Sequence, residues 1–312
     1  MSTTSVFAAT HSALNEITRT QDMVWATDAG LSNLRQDIQE YYSSNPSAND
    51  TQAKNSVLHG NTNHRVSLKT VGINFSWEEE QQYVAELLLV NGFAIFDTWV
   101  DNIVDAAFIS ISKRKRDTIK NDLKAGNPTS LNNFYSSEPK ASLANCFHIT
   151  FPMQSSYIDK LWLVYKYFKS LRNCSAHGSK TFTSVAETNY NAISSFINSD
   201  IGVKEFPKIE PTKCGEKIVI YLRGVVGFYD VLLRIIRHYD TFLGDTDGLD
   251  SELINRWKTI PNYSKIELKP NKKEKFRTIR NYLRTPVCMY VPAANKDEFV
   301  YNHLVNNKVL KR

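Results

Sequence analysis

Residues 76–108, SWEEEQQYVAELLLVNGFAIFDTWVDNIVDAAF, form the segment from which the fold is best predicted. Ser76 and Glu79 have the spacing of a capping box. In such a box the hydroxyl accepts from a free amide of the first turn, and the carboxylate accepts from the amide of the capping residue. Apolar residues cover most of the circumference of a helix over this segment, which is typical of a buried, central helix. We therefore predict a helix over residues 77–112 at the centre of the fold.

Helical periodicity also dominates the rest of the chain, and alternating strand patterns are scarce, so a mainly α fold is expected. Residues 43–56 have the composition of a linker, and GDTDG at residues 244–248 predicts a turn that ends a helix. Short extended segments are expected at residues 64–76 and 287–292. The other helices are predicted over residues 5–42 (one or two helices, with a break near residues 28–30), within 113–152, from about 156, and over 184–198 and 213–242.

The bulk composition limits the class of protein. Hydrophobic residues make up 42% and charged residues 22% of the chain, which excludes a disordered or fibrous protein. The four cysteines lie dozens of residues apart, so their spacing indicates neither a zinc site nor a disulfide framework, and no metal or cofactor is expected. The N-terminus lacks a basic, apolar leader, and no stretch reaches about eighteen apolar residues. We therefore expect a cytoplasmic protein without a membrane partner.

The chain is predicted to consist of three parts. N-terminal helices and a linker occupy residues 1–60, a helical bundle occupies residues 61–245, and a basic, partly helical extension occupies residues 246–312. A length of 312 residues is compatible with one large helical domain and an appended lobe, or with two compact domains.

The formal net charge is +6, and its distribution along the chain is uneven. One basic cluster lies within residues 265–284 and includes Lys272 and Lys273. The other consists of Lys113, Arg114, Lys115 and Arg116. Such clusters attract phosphate-bearing partners, so these six residues are predicted to contact RNA, although a solvated helix face has the same composition.

The helix predicted from about residue 156 ends in an unusual polar motif. Its apolar positions advance by three and four residues, as on the buried face of an amphipathic helix: Ile158, Leu161, Tyr165 and Phe168. Arg172 is the next position in that rhythm, where a core residue would stand. Because an arginine stays charged inside a protein, it needs an anion at this place or an interface that admits one.

Two further polar side chains follow Arg172. Asn173 and His177 are four residues apart, hence on one helical face, and Arg172 is long enough to reach across to the histidine. An imidazole gives or takes a proton near neutral pH, a guanidinium holds a phosphate through two parallel hydrogen bonds, and an amide fixes the imidazole tautomer. Together they form a metal-free set of groups for cleaving a phosphodiester, although the same residue types also occur at this spacing by chance.

Carboxylates interrupt the central helix in a similar way. Its apolar stripe, Tyr83, Leu87, Val90 and Ala94, leads by the same rhythm into Asp97 and Asp101. An acid on that face would orient His177 or neutralise Arg172, and one contact would then explain both interrupted stripes. The alternative is that the two aspartates face solvent along a less buried edge.

The motif LRNCSAH at residues 171–177, together with FAIFDTW at residues 93–99, resembles the HEPN superfamily. The hallmark of that superfamily is an arginine, a polar residue and a histidine after a short spacer. The resemblance covers about residues 77–200. It implies a HEPN-like helical bundle that forms a homodimer, so that two motifs face each other across a shared cleft. Many members are metal-independent ribonucleases in antiviral defence, abortive infection and toxin–antitoxin systems, so the resemblance also implies an antitoxin or regulatory protein as a partner.

Carried over by position, the resemblance makes Arg172 and His177 the catalytic pair, Asn173 the polar residue beside them and Asp97 the acidic residue of the neighbouring helix. Members that are silenced by nucleotidyl modification have a tyrosine two residues after the histidine, whereas this chain has Ser179 there. That mode of control is therefore not expected here.

The predicted function is that of a metal-independent endoribonuclease, a toxin or antiphage effector that cleaves RNA by attack of the 2′-hydroxyl on the adjacent phosphate. Two alternatives stay open. One is a non-catalytic HEPN-like module for protein interaction or RNA binding, with Arg172 and Asp97 as a buried ion pair. The other is a metal enzyme that uses Asp97, Asp101 and Asp105, which share one helix face at spacings of four.

Overall fold

A computed structural model of the protein describes residues 4–58, 65–136, 140–147, 155–176, 180–293 and 295–310. In these ranges the chain is mainly helical, and its β-structure is limited to two isolated bridges. The predicted mainly α helical bundle is therefore confirmed. The eleven α-helices of the described ranges are α1 (Ala8–Ser44), α2 (Asp50–Val57), α3 (Trp77–Ala107), α4 (Lys113–Lys124), α5 (Thr129–Tyr135), α6 (Ser155–Ala176), α7 (Ser184–Ser194), α8 (Leu222–Phe242), α9 (Gly248–Lys258), α10 (Lys272–Arg284) and α11 (Asp297–Asn306). A π-helical turn, Thr70–Asn74, and a 3₁₀ turn, Tyr263–Lys265, are added to these.

Helix α3 lies at the centre of the bundle, as its sequence predicts, and packs against α1, α4, α6, α8 and α9. Ser76 Oγ accepts a hydrogen bond from the Glu79 amide at 3.1 Å, and a carboxylate oxygen of Glu79 accepts from the Ser76 amide at 2.9 Å. The predicted capping box is therefore present, and it sets the first turn of the central helix.

The end of α3 is packed against the turn between α8 and α9. The helix ends at Ala107, before the predicted residue 112, because the carboxylate of Asp247 accepts from the backbone amides of residues 109–110 at 3.3 and 2.9 Å. Gly248 is needed at this contact, since an added Cβ would overlap the carbonyl oxygen of Ala106. The GDTDG turn ends α8, as predicted, and it also docks α9 onto α3.

The buried face of α3 is not the one predicted. The core side chains of this helix include Phe93, Phe96, Trp99, Val100 and Ile103. The stripe predicted as buried is exposed instead, to 50% at Tyr83, 74% at Leu87 and 49% at Val90. A helix that is apolar around most of its circumference has no clear period, and here the large aromatic side chains decide which face packs inward.

By length and composition alone, α3 is also apolar enough to cross a membrane, the one such helix in the described ranges. The core helix of a soluble protein meets the same criterion. In this structure 44% of the most apolar window of α3 is buried inside the protein.

Helix α1 is continuous from Ala8 to Ser44, so the break predicted near residues 28–30 is wrong. A glycine at position 30 costs a helix about 1 kcal/mol relative to alanine. Contacts with α3 along the length of α1 offset that cost. The side-chain hydrogen bonds between the two helices join Thr10 to Trp99, Thr20 to Asn91, Asp28 to Gln81 and Arg35 to Glu80.

The described residues predicted as a linker and an extended segment are largely helical. Helix α2 begins after Asn49, which forms a capping box with Gln52, and residues 68–74 form helical turns that pack on α1. A small second core joins them, made of Ile38, Ala53 and Leu68. The linker prediction fails because Asn and Asp also cap helices. His64, the first residue of the predicted extended segment, lies outside the described residues.

Two other boundaries differ from the prediction. Helix α8 begins at Leu222, not near residue 213, because residues 213–221 turn beside α7, where the Phe182 amide donates to the Glu216 carbonyl at 2.8 Å. Residues 287–292 form no strand in the described part of the chain, and the backbone of Cys288 is in the left-handed region, with a φ of +52°. The short helices predicted within 113–152 are present as α4 and α5.

One apolar cluster forms most of the core, and it extends from Val6 at the N-terminal end to Leu310 at the C-terminal end. Helices α10 and α11 contribute Ile279, Leu283 and Val300 to it. The division at residues 60 and 245 stays a prediction about domains, but side chains from all three parts lie in this cluster.

Three buried charged side chains from α8 and α9 hold the start of α1: Asp240, Glu252 and Arg256. Asp240 accepts from the amides of residues 6–7 at 2.7 and 3.0 Å, and Glu252 accepts from the Ala8 amide at 2.5 Å. Arg256 donates to the carbonyl oxygen of residue 6 at 3.1 Å. The first amides of a helix have no partner within the helix, so these carboxylates replace a local cap. We name this group the N-terminal anchor.

Two glycine-to-alanine substitutions are expected to have opposite effects. Gly30→Ala should raise the free energy of unfolding by about 0.5–1 kcal/mol, since no atom lies within 4 Å of the added Cβ. Gly248→Ala should lower it by about 1–3 kcal/mol, because the added Cβ overlaps the carbonyl of Ala106. Urea unfolding measures both, and an unchanged midpoint for Gly248→Ala would contradict the docking of α9 on α3.

Candidate functional site

The buried face of α6 leads directly to Arg172. The four apolar positions predicted for this face are buried: Ile158, Leu161, Tyr165 and Phe168. Arg172 is half-buried, so the interruption of the stripe marks the place where the helix surface begins to open to solvent.

The guanidinium of Arg172 lies over the ring of Phe93 on α3, with Cζ 5.1 Å from the ring centroid. A cation over an aromatic face is attracted by the ring quadrupole, which holds the guanidinium in place without consuming its hydrogen-bond donors. Its Nε atom is buried and has no hydrogen-bond partner in the described part of the chain. Arg172 is therefore positioned by packing and keeps donor capacity for an anion.

Asp97 is the acidic neighbour that the sequence predicts for this arginine. Burial raises the pKa of the Asp97 carboxyl, and nearby positive charges oppose that rise without cancelling it. The cations that act on it are Lys124, Lys169 and Arg172. Among the described residues, no cation lies within 4.0 Å of Asp97 in an ion pair. We call Asp97, Lys124, Lys169 and Arg172 the Arg172 cluster.

Lys169 lies one helical turn before Arg172 and on the same side of α6. Burial lowers the pKa of the Lys169 ammonium, the charge of Arg172 lowers it further, and Asp97 opposes the shift. Its Nζ donates to the carbonyl oxygen of Lys124, the last residue of α4, and the Tyr165 hydroxyl donates to the same oxygen at 2.9 Å. Lys169 and Tyr165 thus satisfy a carbonyl at the end of α4.

Gly126 allows this docking of α4 on α6. Its φ of +81° is in the left-handed region, where glycine carries no steric cost. A Cβ at this position would lie 2.9 Å from Cγ of Lys166. The glycine therefore ends α4 and brings Lys124 to the cluster.

The acidic face of α3 is matched to a basic face of α4. Both carboxylate oxygens of Asp101 accept from Lys124 Nζ at 2.7 Å. Asp105 lies 2.8 Å from Lys120 and 3.2 Å from Arg116. The three aspartates proposed for a metal thus face cations, and the described residues contain no group of three or more side chains that could hold a metal ion. The geometry gives the metal alternative no support.

The other residues of the motif are placed differently. Asn173, the residue after Arg172 on α6, is exposed, and no hydrogen bond joins its side chain to another described residue. His177 and Ser179 lie outside the described residues. The structure therefore brings Arg172 and Asp97 into one cluster and leaves the role of His177 a prediction.

The residues predicted to contact RNA differ in their availability. Lys113, Arg114 and Lys115 are exposed at the start of α4, and Lys115 Nζ lies 5.5 Å from the ring centroid of Phe134. Arg116 is engaged instead, because it pairs with Asp105 and donates to the carbonyl of Phe108 at 3.1 Å. On α10, Lys272 and Lys273 are both exposed, and Lys272 pairs with Glu298 at 2.8 Å.

Two cations of the Arg172 cluster are absent from the residues predicted from the sequence. Lys169 has a sequence signal, since it precedes Arg172 by three residues and shares its helix face. Lys124 has none, because its approach to Asp97 depends on how α4 packs.

Comparison of the chain with protein-family models, with curated proteins and with solved structures found no match.

Proposed function

We propose that the protein is a metal-independent endoribonuclease of the HEPN type, with Arg172 and His177 as its catalytic pair. The observation that supports this most is the placement of Arg172. It is half-buried on the core face of α6, held over Phe93, and its Nε has no partner in the described part of the chain. A guanidinium in this state is suited to bind a phosphate.

The reaction that these groups support is a transesterification within RNA. The 2′-oxygen forms a bond to phosphorus as the bond from phosphorus to the 5′-oxygen breaks, which leaves a 2′,3′-cyclic phosphate and a 5′-hydroxyl. His177 takes the proton of the 2′-hydroxyl, and a proton donor of the site or the solvent protonates the leaving oxygen. Arg172, with Lys169 beside it, stabilises the negative charge on the phosphoryl oxygens.

A homodimer is part of the proposal. The exposed apolar stripe of α3, formed by Tyr83, Leu87 and Val90, continues by steps of three and four through Ala94 to Asp97 of the Arg172 cluster. An apolar face of this kind favours a protein partner over solvent. Packing of a second copy on the stripe would place the two clusters near a shared interface.

Cleavage of a labelled single-stranded RNA by the purified full chain tests the proposal. We expect cleavage that persists in EDTA, yields 2′,3′-cyclic phosphate ends and fails on an oligonucleotide whose 2′-hydroxyl groups are replaced by hydrogen. His177→Ala should reduce the rate by about 10²–10⁴-fold. His11→Ala, a substitution on α1, serves as the matched control and should retain the wild-type rate. Undiminished cleavage by His177→Ala would refute the catalytic assignment.

One observation favours a second candidate, a non-catalytic RNA-binding or interaction module. The paired faces of α3 and α4 extend to the Arg172 cluster, so a purely structural ion network also accounts for Asp97 and Arg172. In that case the protein binds RNA without cutting it. Intact RNA recovered from a stable complex with the dimeric wild type would favour this candidate.

A further inference from the structure

A concave surface lies between α1 and α8, and no residue of α6 lines it. It consists of two cavities of 850 and 590 Å³ that share Asp22, Asp230 and Leu233 in their walls. We call it the α1–α8 groove. It extends along α1 from Leu14 to Trp25, a length of about 16 Å at the rise of an α-helix.

One wall of the groove is a strap, residues 204–208, that lies directly on α8. Two glycines of α8 make this approach possible. A Cβ at Gly224 would overlap the carbonyl oxygen of Lys208, and one at Gly227 would lie 2.9 Å from Cα of Pro207. The amide of Lys204 also donates to Asp230 Oδ2 at 2.7 Å, so the strap is fixed at both ends.

The lining of the groove carries an excess of positive charge. Six basic and three acidic side chains line the two cavities, a formal excess of three. Two of the acids are already engaged, Glu205 with Arg223 at 2.8 Å and Asp230 with the amide of Lys204 at 2.7 Å. The third acid, Asp22, has no ion pair within 4.0 Å among the described residues, and its negative charge lowers the positive potential of the groove near it. The excess favours an anionic ligand.

Arginines are concentrated in the smaller cavity: Arg19, Arg234 and Arg237. Arg19 and Arg237 make no ion pair within 4.0 Å in the described ranges, whereas Nε of Arg234 lies 3.8 Å from Oδ1 of Asp230, an ion pair too long for a hydrogen bond. Two unpaired guanidinium groups and a third that shares Asp230, all at one end of a groove, form a site for phosphate oxygens.

Aromatic side chains line the larger cavity: Trp25, Phe206 and Tyr221. Trp25 is 52% exposed, unlike Trp99, Trp162 and Trp257, which lie in the core. Lys208 Nζ lies over the ring of Tyr221, 4.1 Å from its centroid, and its charge is partly offset by a carboxylate oxygen of Glu210 at 3.7 Å. An exposed indole beside a basic wall is a stacking surface for an unpaired base.

From this combination we infer that the α1–α8 groove binds single-stranded nucleic acid, with bases on the Trp25 side and phosphates on the three arginines. A stacked strand of about four or five nucleotides fits its length at about 3.4 Å per nucleotide. A duplex is excluded as a ligand because its bases are not free to stack on Trp25. The site is separate from the Arg172 cluster and does not depend on RNA cleavage.

Titration of the full chain with short single-stranded oligonucleotides tests this inference. Single-stranded DNA and 2′-O-methyl RNA are used because neither carries the free 2′-hydroxyl that the proposed cleavage requires. Binding should quench tryptophan fluorescence, and the quenching should be lost in Trp25→Phe, since Trp25 is the exposed indole of the groove. Trp25→Ala should weaken binding by about 5–100-fold.

The double variant Arg19→Ala/Arg237→Ala should weaken binding by about tenfold. The slope of log Kd against the logarithm of the salt concentration should also fall, by about 0.7 for each phosphate that these arginines neutralise in the wild type. Met23→Ala is the matched control, because Met23 is 60% exposed on the same helix but lines a different cavity. Wild-type affinity and quenching in Trp25→Ala and in the double variant would overturn the inference. Equal affinity for a mononucleotide or for a duplex would overturn the assignment to a single strand.

Discussion

Arg172→Ala is expected to reduce RNA cleavage by about 10²–10³-fold while the protein stays folded. The loss follows from its proposed role, because removing one donor that stabilises the charge of a transition state costs about 3–4 kcal/mol. Stability should change by only about 1 kcal/mol. The reason is that Arg172 is half-buried, and its described side-chain contacts are the Phe93 ring and longer-range attraction to Asp97.

Two further variants separate catalysis by Arg172 from a general effect of charge. Arg172→Lys keeps the positive charge but loses the bidentate donor geometry, so it should recover only part of the rate. Lys160→Ala removes a cation elsewhere on α6, where Lys160 lies over Phe196, and should leave the rate unchanged. Rates are measured by single-turnover cleavage, and folding by circular dichroism.

Two results would contradict this account of Arg172. Wild-type cleavage by Arg172→Ala would show that the guanidinium is not part of the chemistry. Loss of the folded circular-dichroism signal of Arg172→Ala at the assay temperature would show that Arg172 serves the ion network with Asp97, as the non-catalytic candidate requires. A fold-preserving loss of activity distinguishes the catalytic proposal from both.

The features of the fold that could be predicted are those encoded by neighbouring residues. The capping box at Ser76 and the stripe that ends at Arg172 depend on contacts within a few residues, so their spacing reveals them. The exposed face of α3 could not be predicted, because Leu87 is as apolar as the residues that are buried. What decides between them is the packing of α1, α6 and α8 around the aromatic side chains of α3.

The same distinction applies to the candidate sites. The need of Arg172 for an anion could be predicted, because it interrupts the buried stripe of α6. The stripe of α3 that leads to Asp97 is exposed, so the approach of Asp97 to Arg172 follows from the packing of α6 on α3. The contribution of Lys124 depends on the docking of α4 through Gly126. The α1–α8 groove depends on the contact of Pro207 with Gly227, and these residues come together only in the folded chain.

Asp240→Ala is expected to produce the largest loss of stability, about 3–5 kcal/mol. It removes the acceptor for two backbone amides of the N-terminal anchor and leaves Arg256 without one of its two buried carboxylate neighbours. Burying unpaired donors costs more than the original bonds contribute. Urea unfolding measures the change. Asp37→Ala, an exposed position on α1, is the control and should stay within about 0.5 kcal/mol of the wild type.

Asp240→Asn adds a test by pH. Burial raises the pKa of Asp240 to about 6 from its ordinary value of 3.8, although the amides of residues 6–7 oppose the shift. The folded state therefore holds a proton that the unfolded state releases, so stability from this group is present at low pH and is lost as the pH rises through about 6. Between about pH 5 and pH 8, the free energy of unfolding of the wild type should fall by about 1 kcal/mol relative to that of Asp240→Asn. If the two free energies of unfolding differ by the same amount across that range, the pKa of Asp240 is not raised by its burial in the folded state.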